Sequence, residues 1–156
     1  MPALTNLYAR SFQMDKKTTY KDYHDFLEAE INAYRGGVKD YIYYLPALFK
    51  ALSGTLDRPE LEAEDRKIVL TALGYLVVPN DLLPEAVYGP VGYIDDVFVC
   101  CLVIERLVKK YSISFVEPYW EKETDLLEEY LSHALTTSRE DLGELAEKVL
   151  AYTGLG

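Results

Sequence analysis

Positive charge, cysteine and histidine are scarce in this chain, and no apolar run is long. Lysine and arginine total 16 against 26 acids, a net charge of −10. The shortage is sharpest between Glu117 and Lys148, where ten acids face three bases, leaving −7 in that stretch. Such a surface repels phosphate backbones and anionic lipid, which argues against nucleic-acid binding and against a membrane role. The two cysteines, Cys100 and Cys101, are neighbours. Adjacent helical side chains diverge by about 100°, so a disulfide between them would be strained. Buried free thiols in a reducing cytoplasm are the plain reading. The opening MPALTNLYARSFQMDKK lacks the apolar region of a signal peptide. The longest unbroken apolar run, Val97 to Ile104, has eight residues, where a membrane span needs about 20. The expectation is a soluble cytoplasmic protein.

The usual catalytic signatures are missing too. There is no Gly-rich phosphate loop, no Ser-centred elbow and no Cys-His pair. His24 lies among Asp22, Asp25 and Glu28, but one helix offers too few nitrogen or sulfur ligands for a metal, so these residues read as a solvated charged face. His133 sits in an acidic segment with nothing in the sequence to bring it to another site. No residue is assigned as catalytic.

What the chain has is core. About half of it is apolar and 13 % is aromatic, mostly tyrosine, which excludes a disordered acidic protein. Its 156 residues suit one domain. Tyr20, Tyr23, Leu27, Ile31 and Tyr34 recur at helical steps, and Gly36-Gly37 stops that helix. Residues 1–18 show weak periodicity and read as an arm that packs late or stays mobile. Between Val38 and Leu52 a stripe of Tyr41, Ile42, Leu45, Leu48, Phe49 and Leu52 predicts a helix, kinked or restarted at Pro46 and closed by Gly54. Asp57 and Pro59 signal the next helix start. This helix is apolar nearly all round from Ile68, as a central buried element would be, and its small-residue face around Gly74 invites another backbone. It ends at Pro79. A loop rich in Pro and Gly follows, and then a helix from about Tyr93 to Tyr111. After Pro118 an acidic helix with Trp120, Leu127 and Leu131 inward should run to about Leu135 and break at Thr136-Thr137-Ser138. A last helix, Arg139 to Tyr152, should bury Leu142, Leu145, Val149 and Tyr152. With no strand signal, the fold expected is an all-α, single-domain bundle of about six helices. Its centre is an antiparallel hairpin of residues 60–78 and 93–111, and residues 117–153 form an acidic extension.

Three aspartates stand where the hairpin meets its loop: Asp81, Asp95 and Asp96. At 100° per residue, Asp95 shares the solvent-leaning side of its helix with Arg106, Lys109 and Lys110. Asp96 falls between Val103 and Leu107 and points into the apolar face, where a carboxylate must be hydrogen-bonded, ion-paired or protonated. Three readings compete. The acids can cap free amides at the helix start and, with the Tyr75 and Tyr93 hydroxyls, close a structural network. Alternatively, Asp81, Asp95, Asp96 and Glu85 can converge on a hard divalent cation such as Mg²⁺, although the spacing fits no known loop. Finally, two close carboxylates can share a proton as acid and base, but no nucleophile accompanies them.

The segment Tyr75-Leu76-Val77-Val78-Pro79-Asn80-Asp81-Leu82-Leu83-Pro84-Glu85, followed by Gly92-Tyr93-Ile94-Asp95-Asp96, resembles the signature of the YkvA-like domain family. The likeness extends over about Val38 to Lys110. Asn80, Leu83 and Glu85 depart from the family's usual residues. The resemblance implies a small helical module with no agreed activity, some of whose members are membrane-associated, in which Asp81, Asp95 and Asp96 act as a unit. The function expected is a non-enzymatic module for protein interaction or self-assembly, without a cofactor. Its partner surface should lie on the Tyr-rich N-terminal half or the acidic C-terminal helices. The alternatives are a divalent-metal protein using the aspartates and peripheral membrane association through the apolar hairpin.

Overall fold

The computed structural model describes residues 20–34, 39–77, 92–122 and 125–156. The expected arm at 1–18 and the loop bearing Asp81 and Glu85 lie outside the described residues. Six α-helices are described: α1 (Tyr20–Asn32), α2 (Leu45–Thr55), α3 (Ala63–Val77), α4 (Ile94–Tyr111), α5 (Leu127–Leu142) and α6 (Leu145–Thr153). Short 3-10 turns occupy Asp40–Tyr44, Ile113–Phe115 and Glu117–Tyr119. Among the described residues there is no strand, and the all-α expectation is met.

The hairpin is antiparallel, as its end contacts show. Tyr75 near the end of α3 meets Asp95 at the start of α4, while Asp65 at the start of α3 meets Lys110 and Tyr111 at the end of α4. The centre of the fold, however, is α4 and not α3. α4 packs against α2, α3, α5 and α6, and every residue from Gly92 to Cys101 is buried. On α3, Leu70 is 48 % exposed, and among the described residues nothing comes near Gly74. Both helices read as strongly apolar, but only α4 has partners on every side of its first turns.

The chain from Asp40 to Thr55 divides at Pro46 as expected. A 3-10 turn leads into α2 with proline in its first turn, where a missing amide costs no hydrogen bond. All six stripe residues, Tyr41 through Leu52, are buried. Gly54 does not close α2, which continues to Thr55. A Cβ at Gly54 would run into the Tyr119 ring, so the glycine lets the Glu117–Tyr119 turn approach the helix.

Two helix starts and one break differ from expectation. Asp57 and Pro59 lie in turns ahead of α3, which begins at Ala63. The Tyr111 hydroxyl accepts the Glu62 amide at 3.0 Å, so a side chain from α4 takes part in opening α3. The acidic C-terminal helix starts only at Leu127, and Trp120 precedes it, stacked on Tyr44. That helix then runs through Thr136-Thr137-Ser138 without interruption. Ser138 is buried and its hydroxyl turns back to the Leu135 carbonyl. The break comes at Gly143, whose φ of +56° lies where glycine is favoured, so no capping box forms at Ser138. Tyr152 is 62 % exposed rather than buried.

Candidate functional site

Asp95 and Asp96 occupy the first turn of α4 and both are fully buried. For Asp96 this agrees with the helical wheel. For Asp95 it does not. The wheel's solvent-leaning side holds for Arg106, Lys109 and Lys110, farther along α4, but α3 covers that side at the start of the helix. The Tyr75 hydroxyl donates to Asp95 Oδ2 at 2.5 Å, and the Asp96 amide donates to Asp95 Oδ1 at 3.0 Å. One carboxylate thus holds a first-turn amide of α4 and the far end of α3 together, in the position where a helix terminus favours negative charge. Asp81 and Glu85 lie outside the described residues, so the structure brings together two of the four acids proposed as a cation site. Cys100 and Cys101, one turn on, are free and buried, and burial pushes both thiols well above the ordinary range.

Two further clusters escape a linear reading because their members come from distant segments. The first centres on His24, which is not on a solvated face: its side chain is 13 % exposed. Its Nε2 lies 2.7 Å from Oε1 of Glu121, 97 positions away, and its Nδ1 lies 3.0 Å from Oδ1 of Asp25. Glu28, one turn along α1, presents a carboxylate to the same place; the nearest ligand atoms of His24, Glu28 and Glu121 all fall within 4.8 Å of one another. Lys50 of α2 approaches the other oxygen of Glu121 at 3.4 Å. Burial disfavours the His24 imidazolium, but the hydrogen bonds to Asp25 and Glu121 outweigh it and raise the pKa above the ordinary histidine value. Glu121 shifts the opposite way: burial opposes its charge, and His24 and Lys50 more than compensate.

The second cluster is a groove of about 450 Å³ between the Asp40–Tyr44 turn and the start of α5. Tyr41, Tyr44 and Tyr130 line it, with the carboxylates of Asp40, Asp125 and Glu129, and His133 at its edge. Tyr44, Tyr130 and Trp120 form a three-ring cluster, with centroids 4.4 Å apart for Tyr44–Tyr130, 6.1 Å for Tyr44–Trp120 and 5.4 Å for Trp120–Tyr130. Asp125 ties two of these rings together: its side chain accepts the Tyr44 hydroxyl at 2.8 Å, and its carbonyl accepts the Trp120 indole at 2.8 Å. The Lys122 ammonium stands 5.7 Å from the Tyr44 ring centroid. The groove joins residues of the Tyr-rich N-terminal half to residues of the acidic C-terminal segment.

Among the described helices, none is long and apolar enough to cross a membrane. Residues 65–102, from the first turn of α3 to the middle of α4, match the domain family described as Protein of unknown function (DUF1232). The match spans Tyr75, Asp95 and Asp96 and the positions of Asp81 and Glu85. Over 41 residues the chain is 51 % identical to the E3 ubiquitin-protein ligase RNF170 of Xenopus tropicalis and 49 % identical to that of Xenopus laevis. Each of those matches covers 24 % of this chain and 16 % of the ligase. No solved structure matches the chain. Over 128 residues it is 34 % identical to Uncharacterized protein ORF9 of Methanothermobacter thermautotrophicus, covering 82 % of this chain and 87 % of that protein. With residues 65–102 matching the DUF1232 family, the chain belongs to the family of that archaeal protein.

Proposed function

We propose that this chain is a non-enzymatic cytoplasmic interaction module of the YkvA-like kind, whose acidic, tyrosine-lined groove takes lysine or arginine side chains of a protein partner. The observation that carries the reading is the groove itself: three carboxylates around stacked aromatic rings form a surface complementary to a cation with an apolar stem. The chain's own Lys122, poised over Tyr44, illustrates the chemistry. Asp95 and Asp96 serve the fold in this reading, in support of which Asp95 engages Tyr75 and the Asp96 amide through its two oxygens.

The test is a titration with a lysine-rich peptide, an acidic peptide of equal length and spermidine, followed by the fluorescence of Trp120, the single tryptophan. The lysine-rich peptide should bind, with an affinity that falls as salt rises. Replacing Glu129 by Gln together with Asp40 by Asn should weaken it about tenfold or more, in line with losing close charge pairs at an interface. Absence of binding, or equal binding of the acidic peptide, would remove the proposal. Binding of spermidine alone would reassign the groove to small polyamines.

A further inference from the structure

We propose that His24, Glu28 and Glu121 form a binding site for one divalent transition-metal ion such as Zn²⁺ or Mn²⁺. His24 and Glu28 stand four residues apart on α1 and share a face, the spacing that lets two side chains of one helix reach a common point. One helix supplies too few ligands. Glu121, delivered by the turn after Glu117–Tyr119, adds the third. Ligand bonds of about 2.0–2.2 Å hold donor atoms about 3.4 Å apart around a tetrahedral ion and about 4.3 Å apart only where they stand opposite each other. The observed spread of 4.8 Å or less closes when the side chains, of which Glu28 is exposed and free to turn, draw in by about 1 Å.

The imidazole is already oriented for this role. Its Nδ1 faces Oδ1 of Asp25 at 3.0 Å, the outer carboxylate that commonly fixes the tautomer of a ligating histidine, and this directs Nε2 at the glutamates. At 2.7 Å from Glu121 Oε1, Nε2 shares a proton with the carboxylate. An arriving ion takes that proton's place: the metal–Nε2 bond forms, the N–H bond breaks, and the proton leaves to solvent. Three protein ligands leave further coordination positions open toward a cleft of about 520 Å³ between α1, α2 and Tyr119, so water or a small anion completes the shell. Lys50, 54 % exposed, pairs with the other oxygen of Glu121 at 3.4 Å; it competes with the ion and swings to solvent when the ion binds. A nitrogen and two carboxylate oxygens suit a borderline metal better than Mg²⁺. This site is separate from Asp95 and Asp96 and independent of the groove.

The experiment is calorimetric titration of the chelator-stripped full chain with Zn²⁺, Mn²⁺ and Mg²⁺, run in two buffers of different ionisation heat. The parent should take up one Zn²⁺ or Mn²⁺ far more tightly than Mg²⁺, with proton release visible as buffer-dependent heat. Glu28→Gln should weaken binding at least tenfold, Glu121→Gln should abolish it, and Lys50→Met should tighten it. A thermal melt confirms that each variant folds. If Glu121→Gln does not, Glu28→Gln and Lys50→Met decide the question. No uptake by the parent, or uptake unaffected by both of those variants, overturns the proposal and leaves His24 in an ion-pair network only.

Discussion

At the scale of single residues, the most informative position is Asp95. A helical wheel assigns each residue a direction but does not show what occupies it, and Tyr75, twenty positions earlier, covers the side on which Asp95 projects. Because carboxylate and hydroxyl are both buried, their hydrogen bond should be worth about 1.5–3 kcal/mol. A double-mutant cycle of Tyr75→Phe and Asp95→Asn, read by urea denaturation, should return a coupling of about that size; additive effects would show that the two groups act separately. Ser112 is a second such position. Its φ of +84° is unusual for a residue with a side chain. It reverses the chain so that Tyr111 can stack on Phe115, at 4.3 Å, while the Tyr111 hydroxyl donates to Asp65. Ser112→Gly should therefore stabilise the protein by about 1 kcal/mol, the lower end of the usual cost of such backbone strain. A lower melting temperature would contradict this.

At the scale of elements, helix existence was legible in the sequence, as were the ends of α4, but the starts of α3 and α5 and the break before α6 were not. The 3.6-residue period of Tyr23, Leu27 and Ile31, or of Leu45, Leu48 and Leu52, reports which residues meet the core, and these residues are buried. The break between α5 and α6 shows the limit. Thr136-Thr137-Ser138 are weak helix formers, yet packing of Ala134 and Ser138 keeps them helical, and the chain stops at Gly143 instead. Nothing crowds the Cβ position there, so Gly143→Ala should cost about 1–3 kcal/mol through backbone conformation alone, measurable by chemical denaturation. At the far end of the hairpin, burial of Asp65 opposes its charge, but hydrogen bonds from Lys110 and Tyr111 prevail and hold its carboxyl below the ordinary aspartate range. A depressed folded-state pKa stabilises above the unfolded value and loses that contribution as pH falls through the folded one. Asp65→Asn should accordingly melt lower at pH 7, by about 1 kcal/mol given the solvent-exposed lysine partner, with the difference fading under acid. A gap that widened toward low pH would reverse the assignment.

At the scale of the whole molecule, α4 packs against four other helices, and from Val97 to Ile104 every residue but the half-buried Leu102 is fully buried. Phe98, fully buried, should cost about 3–5 kcal/mol when cut to alanine, enough to threaten a domain of ordinary stability. Leu126, 60 % exposed, should cost no more than about 0.5 kcal/mol. Equal losses at the two positions would place the core elsewhere. The sequence alone determined what depends on local pattern: an all-helical chain, a hairpin about the Pro-Gly loop, two thiols unfit for a disulfide, and an acidic C-terminal end. Only the tertiary structure decided which apolar helix lies at the centre, that Asp95 is buried, and that Glu121 meets His24 across 97 residues. Periodicity records which face of a helix avoids water. It does not record which distant segment covers that face, since that depends on packing among elements whose order in the chain says little about their neighbours.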